Sequence, residues 1–204
     1  MLYSLGIVLL IRANVGYAPW EVFHVGISVS TGISVGVASI IVGLIIVIIV
    51  TACGEKIGFG TIVSMIFTGL FIDIIFLLDI IPLAGSMVSG LIMLTGGLMI
   101  ISLATYFYIS SAFGAGPRDN LMVVLKKKTK MPVGLCRSIV ELSVTVAGYF
   151  LGGMVGIGTV ISVVAVGFFI QLVFFVFKFD PAAIKHETVN ETSMAIKSAV
   201  RPKR

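Results

Sequence analysis

The strongest constraint on the fold is an internal duplication, in which residues 16–76 reappear at 114–174 without a gap. The two segments share 18 identical residues at a constant offset of 98. An apolar composition alone produces chance matches, but it does not keep glycines, prolines and threonines in register. The sequence therefore predicts two copies of one structural unit. The matched turn-forming residues include Gly16, Pro19 and Thr31 with Gly114, Pro117 and Thr129.

The composition identifies the class of protein. The mean hydropathy is +1.19, 58% of the residues are hydrophobic and 11% are charged. That charged share is less than half of the ~25% typical of soluble domains. A water-soluble fold of this size could not bury so much apolar surface, so the sequence predicts an all-α polytopic membrane protein whose partner is the lipid bilayer. The positive charges cluster where membrane loops are expected, and we expect no nucleic-acid partner.

Five long apolar segments and a shorter first one are predicted to span, and two further short segments lie between them. The short segments, at 20–30 and 118–128, reach only ~16 Å as helices, about half of a ~30 Å hydrocarbon core, so we expect them not to span. Each follows a Gly/Pro break, formed by Gly16 and Pro19 in the first copy and by Gly114, Gly116 and Pro117 in the second. The predicted spans are 1–11, 35–52, 57–78, 86–110, 133–151 and 157–177.

The first apolar segment is much shorter than its repeat partner at 86–110. We therefore expect the first helix to be N-terminally short, with a coding start upstream of Met1. The repeats are predicted at 1–84 and 85–179, followed by a polar, mobile cytoplasmic tail at 180–204.

An odd number of spans inverts the second repeat relative to the first. Basic residues support this topology, because Lys126, Lys127, Lys128 and Lys130 fall on the same side as the basic tail, and the loops opposite carry no Lys or Arg. Both termini are then cytoplasmic in a bacterial cytoplasmic membrane, and the lysine cluster contacts lipid headgroups. If the short helices span instead, each repeat has four spans and the repeats are parallel.

Acidic residues occupy equivalent positions after the two prolines. Glu21 and Asp119 lie in the first turn of each short helix, where an acid can simply cap open N–H groups. Alternatively, the breaks are discontinuous helices that meet near the membrane midplane and bind an ion or a small-molecule substrate. The preceding positions hold Trp20 and Arg118; Trp20 is either an interfacial anchor or a ligand contact. Arg12, just before the first break, is a further candidate.

Three other polar residues lie within predicted spans, where polar groups are costly. Asp73 and its repeat partner Gln171 are expected to be coordinating groups on two facing helices, unless Asp73 is a buried, hydrogen-bonded side chain. Glu141 lies four residues after Arg137, which predicts a local ion pair, with contact to substrate or a proton as the alternative.

Other residues receive structural interpretations. His24 has no histidine counterpart in the second copy, and Gly69 and Gly167 are expected to allow close helix packing. Cys53 and Cys136 stand alone in apolar contexts, which predicts neither a disulfide nor a metal site. Because nucleophile–base and metal-binding motifs are missing from the sequence, we expect no enzyme activity and no cofactor.

The strings IRANVGYAPWEVFHVGIS, TGISVG and GFGT, with GAGPRDNLM, TKMPVGLCRSIVELS and GIGT in the second copy, resemble the YczE-like bacterial membrane proteins of the YczE/YyaS/YitT group. The resemblance extends to about Phe179. Ala18 and Glu21 depart mildly from the usual Gly and Asp. The resemblance implies an integral protein of the bacterial cytoplasmic membrane. One member of the group is linked to lipopeptide production.

Two functions follow from these patterns. The first is a small secondary transporter that uses the paired discontinuous helices. The second is a non-transporting accessory or regulatory protein that docks a partner through its basic loop and tail, for example in secondary-metabolite production. The sequence leaves open whether the chain forms a homodimer.

Overall fold

The computed structural model describes residues 1–55, 57–111 and 116–179, and every regular element within them is an α-helix. This confirms the all-α class. The predicted tail at 180–204 and Gly114 lie outside the described residues. The helices are α1 (Leu2–Arg12), α2 (Pro19–Thr31), α3 (Val35–Ala52), α4 (Phe59–Leu78), α5 (Met87–Ser110), α6 (Pro117–Thr129), α7 (Val133–Phe150) and α8 (Ile157–Val176).

The duplication is visible in the helix boundaries. Each of α2, α3 and α4 begins and ends 98 residues before its counterpart among α6, α7 and α8, and α1 corresponds to the second half of α5. Pro19 and Pro117 occupy the first turns of the short helices, where a missing N–H is tolerated. Both short helices end in a left-handed residue, Gly32 with φ 79° and Lys130 with φ 58°.

Among the described residues, four helices are long and apolar enough to cross a membrane: α3, α4, α5 and α8. Their 18 to 24 residues correspond to ~27–36 Å. A fifth span is added if α6 and α7, whose axes are bent by 118° at the break between them, are counted together as one broken span. Helix α1 is apolar but shorter. By length and composition, the described residues thus contain four or five spans rather than the six predicted.

Helix contacts follow the repeat symmetry, because a contact between two helices recurs between their counterparts in the other repeat. α2 packs on α7 as α6 packs on α3, and α1 packs on α4 as α5 packs on α8. α1 and α5 pack on each other at the centre, where a Cβ added to Gly6 would lie 3.0 Å from the Gly97 carbonyl oxygen. Around this contact the main apolar core contains Ile7, Leu10, Ile72, Leu94 and Leu98.

One helix pair breaks this correspondence. α3 crosses α4 so closely that a Cβ on Gly36 would lie 2.0 Å from the Gly69 carbonyl oxygen, which confirms the packing role predicted for Gly69. A Cβ on the equivalent Gly134 or Gly167 would meet no described atom within 4 Å. The packing role predicted for Gly167 is therefore wrong for this structure, because α8 does not pack against α7 there.

Ion pairs mark the two ends of the bundle. Lys127 Nζ, at the end of α6, lies 2.6 Å from Glu55 Oε1 in the α3–α4 connection, so these two loops share one end. At the other end, Arg12 at the end of α1 pairs with Asp79 at the end of α4. In both ion pairs, the C-terminal ends of two helices lie side by side: α1 with α4, and α6 with α3.

Candidate functional site

The starts of the two short helices meet inside the bundle. The Arg118 guanidinium carbon lies 4.5 Å from the centroid of the Trp20 ring, and Arg118 Nη2 lies 3.8 Å from Glu21 Oε1. Trp20 and Arg118 are equivalent in the repeat, as are Glu21 and Asp119. The same turn of each repeat thus contributes to one cluster, which we call the central cluster: Trp20, Glu21, His24 and Arg118.

Burial makes this ion pair costly. The side chain of Glu21 is 5% exposed and that of Arg118 is 28% exposed. A separation of 3.8 Å exceeds hydrogen-bond length, so the attraction is electrostatic and leaves the pair incompletely matched. A buried charge pair of this kind is weak evidence for a stabilising role, because desolvation opposes the Coulomb attraction. In a membrane protein, ionisable side chains of this kind are candidates for a functional site.

His24 extends the cluster by one helical turn. Its ring centroid lies 6.3 Å from that of Trp20, and the residue is 2% exposed. Within the described part of the chain, its Nδ1 atom is buried without a hydrogen-bond partner. The sequence analysis gave His24 a structural role, because the sequence alone cannot show that a lone histidine on an apolar helix lacks a partner.

Residues from two other helices reach the same region. Arg118, Asp119 and Glu21 lie close enough for their charges to affect Tyr3, a half-buried residue of α1. The charge of Glu141 on α7 acts on Glu21. Tyr3 was not among the sequence candidates because its neighbours come from α2 and α6, far away in the chain.

The predicted local ion pair on α7 is confirmed. Arg137 Nε donates to Glu141 Oε1 over 2.8 Å, one helical turn apart. The Glu141 side chain is 12% exposed and that of Arg137 is 47% exposed. Glu141 thus lies at the edge of the central cluster with its own partner.

Asp73 and Gln171 are not brought together. Asp73 accepts hydrogen bonds from Ser34 Oγ at 2.5 Å and from the Gly36 N–H at 2.7 Å, so it caps the start of α3. Gln171 lies exposed on α8. The structure thus agrees with the alternative of a hydrogen-bonded Asp73, and coordination of a ligand by the two side chains stays a prediction.

The remaining candidates lie outside the central cluster as defined above, although Asp119 directly follows Arg118 of the cluster. Arg12 pairs with Asp79 and lies 5.4 Å from the Phe76 ring centroid. Asp119 is exposed in the first turn of α6. The basic residues at the end of α6 are exposed, and their contact with lipid stays a prediction: Lys126, Lys127, Lys128 and Lys130.

The first helix break is docked against the loop between α7 and α8. Gly16 adopts φ 108°, and a Cβ there would lie 2.6 Å from the Gly156 nitrogen. The neighbouring Tyr17 N–H donates to the Met154 carbonyl, and the Gly158 N–H donates to the Val15 carbonyl. The Gly/Pro break is therefore a fixed junction between the repeats, which explains the need for glycine.

No group of three or more His, Cys, Asp or Glu side chains could hold a metal ion among the described residues. Cys53 and Cys136 are both free thiols, and Cys136 is buried. The side chains of the central cluster supply one buried acid, one guanidinium, an imidazole and an aromatic ring.

Comparison with known proteins places these features in a family context. Residues 1–174 match a family of unknown function, DUF6198. The chain is 31% identical over 175 residues to the uncharacterized membrane protein YczE of Bacillus subtilis, which covers 84% of this chain and 80% of that protein. It is 30% identical over 163 residues to an uncharacterized protein of Haemophilus influenzae, covering 80% and 74%. It is also 30% identical over 166 residues to the uncharacterized protein YyaS of Bacillus subtilis, covering 80% and 82%. No solved structure matches significantly.

Proposed function

The chain belongs to the DUF6198 family of YczE-like membrane proteins, a family of unknown function, and we propose from its own geometry that it is a small secondary transporter. One observation carries the proposal: equivalent turns of the two repeats meet at a buried, incompletely matched ion pair, Glu21 with Arg118. Paired helix breaks that face each other across a repeat interface are typical of transporter binding sites.

The directions of equivalent helices support an inverted repeat. Gly6 of α1 lies against Gly97 and Ile101 of α5, whereas Ala13 lies against Gly90, so α1 and α5 run in opposite directions. Since α1 corresponds to the second half of α5, the two copies are related by a reversal along the helix axis. The salt bridge between Lys127 and Glu55 agrees with this, because the positive-inside rule assigns both loops to the cytoplasmic side.

In this proposal the central cluster binds a small molecule or an ion between the repeats. Glu21 supplies a buried carboxylate, Arg118 supplies guanidinium donors and Trp20 supplies an aromatic face. Substrate competes with the Glu21–Arg118 attraction, and rocking of one repeat against the other exposes the cluster to each side in turn. Both termini lie in the cytoplasm of a bacterial cell, and the protein is not an enzyme.

A thermal-shift screen of the purified protein in detergent tests this proposal. We expect at least one class among amino acids, organic cations, carboxylates and inorganic ions to raise the melting temperature, and Glu21→Gln to abolish that shift. Lys128→Gln, at an exposed position in the last turn of α6, is the matched control and keeps the shift. Each hit is then tested for uptake into proteoliposomes.

The accessory function predicts the opposite pattern. If the protein is an accessory protein, deleting residues 180–204 and neutralising Lys126 and Lys128 should abolish whatever phenotype distinguishes cells with the gene from cells without it. Glu21→Gln should leave that phenotype intact. That result, with no ligand found, would replace the transporter proposal. The exposure of the basic end of α6 is the observation that keeps this second function open.

A further inference from the structure

The two repeats differ at one helix crossing although their sequences match there. In the first repeat, Gly36 and Gly69 let the backbones of α3 and α4 touch: a Cβ on Gly69 would lie 2.5 Å from the Gly36 carbonyl oxygen. Asp73 fastens the crossing by accepting from Ser34 Oγ at 2.5 Å and from the Gly36 N–H at 2.7 Å. We call this contact the α3–α4 latch.

The second repeat keeps the glycines but not the contact. Gly134 and Gly167 are identical to Gly36 and Gly69 at the constant offset of 98. A Cβ on either would meet no described atom within 4 Å. Gln171, which replaces Asp73, is exposed on α8. A glycine inside a helix weakens it relative to alanine unless a neighbouring backbone uses the space.

We infer that the protein has a second conformation in which α7 closes onto α8 at Gly134 and Gly167 while α3 and α4 separate. In that conformation the Gln171 side-chain carbonyl accepts a hydrogen bond from the Gly134 N–H, as Asp73 does from the Gly36 N–H. The structure described here is then one of two end states, which are related by exchanging the conformations of the repeats.

The second latch is the weaker of the two. Pro132 stands where Ser34 stands in the first repeat, so it has no hydroxyl to donate to Gln171. The α7–α8 latch then has one hydrogen bond to a neutral carboxamide, whereas the α3–α4 latch has two to a carboxylate, and charged acceptors form stronger bonds. This difference favours the conformation with α3 and α4 closed.

Closure of α7 also alters the surroundings of the central cluster. α7 carries Glu141, whose charge acts on the buried Glu21, and α7 packs on α2. The assignment of this movement to alternating access rests on the proposed transport function. The inference of two conformations does not, because it is drawn from the unequal contacts of equivalent glycines in the two repeats.

Distance measurement between spin labels tests the inference without any substrate. Labels are attached to cysteines at Leu135 and Phe168, which are exposed neighbours of the two glycines, in a chain with Cys53 and Cys136 replaced by serine. In lipid nanodiscs we expect a major long distance and a minor short one. Asp73→Asn weakens the α3–α4 latch and should increase the short-distance population several-fold.

Matched substitutions separate closure from general damage. Gly134→Leu and Gly167→Leu enter open space here and block closure, so each should remove the short distance. Gly96→Leu is the control, since Gly96 is a helical glycine of α5 that also faces no described atom within 4 Å, and it should keep both distances. A single long distance in the parent chain and in Asp73→Asn would overturn the inference, as would a short distance that survives both blocking substitutions. If both distances are observed but no uptake into liposomes is found, the transport function is rejected and the inference of two conformations stands.

Discussion

Trp20 and Arg118 hold the same position in the two repeats, and in the folded chain the Arg118 guanidinium carbon lies 4.5 Å from the Trp20 ring centroid. A duplicated sequence thus contributes two different side chains to one contact. The ring face attracts the cation, and Glu21 adds a second attraction from 3.8 Å. Arg118 is therefore held by groups of the first repeat, which makes this contact a link between the repeats.

Removal of the arginine alone should destabilise the protein more than removal of the pair. Arg118→Gln leaves the Glu21 carboxylate buried without its counter-charge, and we expect a loss of about 2 kcal/mol in unfolding free energy. Glu21→Gln with Arg118→Gln should recover most of that loss. Thermal unfolding of the single and double variants in detergent measures the coupling. Additive effects of the two substitutions would show that these side chains are independent.

Much of the helical plan could be predicted from the sequence, because proline, glycine and apolar runs act locally. The predicted short helix at 118–128 falls within Pro117–Thr129, and the predicted span at 35–52 coincides with Val35–Ala52. The pairing of Arg137 with Glu141 was also predictable, since residues four apart share a helix face.

The central cluster was predictable only in part. Sequence symmetry pointed to Glu21 and Arg118, because both follow a duplicated proline. Repeat equivalence failed for Asp73 and Gln171, because α4 uses its polar residue to cap α3, whereas α8 has no such neighbour in this conformation. His24 and Tyr3 were missed because their importance depends on neighbours distant in sequence.

Alanine at two equivalent glycines should have opposite consequences. A Cβ on Gly36 would lie 2.0 Å from the Gly69 carbonyl, so Gly36→Ala should force the α3–α4 crossing apart and sharply reduce the yield of folded protein. Gly134→Ala is the matched control in open space, and improved helix propensity should make it neutral or stabilising by up to about 1 kcal/mol. Size-exclusion profiles and melting temperatures in detergent compare them. Equal behaviour would contradict the tight crossing in the first repeat.

The unpartnered His24 offers a test of function against structure. Met122 occupies the equivalent position in the second repeat, so His24→Met replaces a buried polar ring with the side chain that the repeat already tolerates there. We expect unchanged or higher thermal stability, because a buried polar atom without a hydrogen bond is costly. Ligand-induced thermal shifts should nevertheless be lost. Met122→Leu controls for packing and should keep them, and a large fall in stability for His24→Met would assign the histidine a structural role.

Labelling from outside the cell should separate the two short helices. Ser30 and Lys128 are exposed residues near the ends of α2 and α6, and the proposed inverted repeat puts these ends on opposite faces of the membrane. Single cysteines at these positions, in a background without Cys53 and Cys136, are treated with an impermeant maleimide in intact cells. We expect the Ser30 position to react and the Lys128 position to react only after the cells are opened, because Lys128 follows Lys127, which pairs with Glu55 at the predicted cytoplasmic end. The control is a cysteine at Thr51, an exposed residue in the last turn of α3 that lies at the same end of the bundle as Glu55. It should be labelled in the same way as the cysteine at Lys128. Equal labelling at Ser30 and Lys128 would mean that the short helices end on the same face, and alternating access by exchange of the repeats would lose its geometric basis.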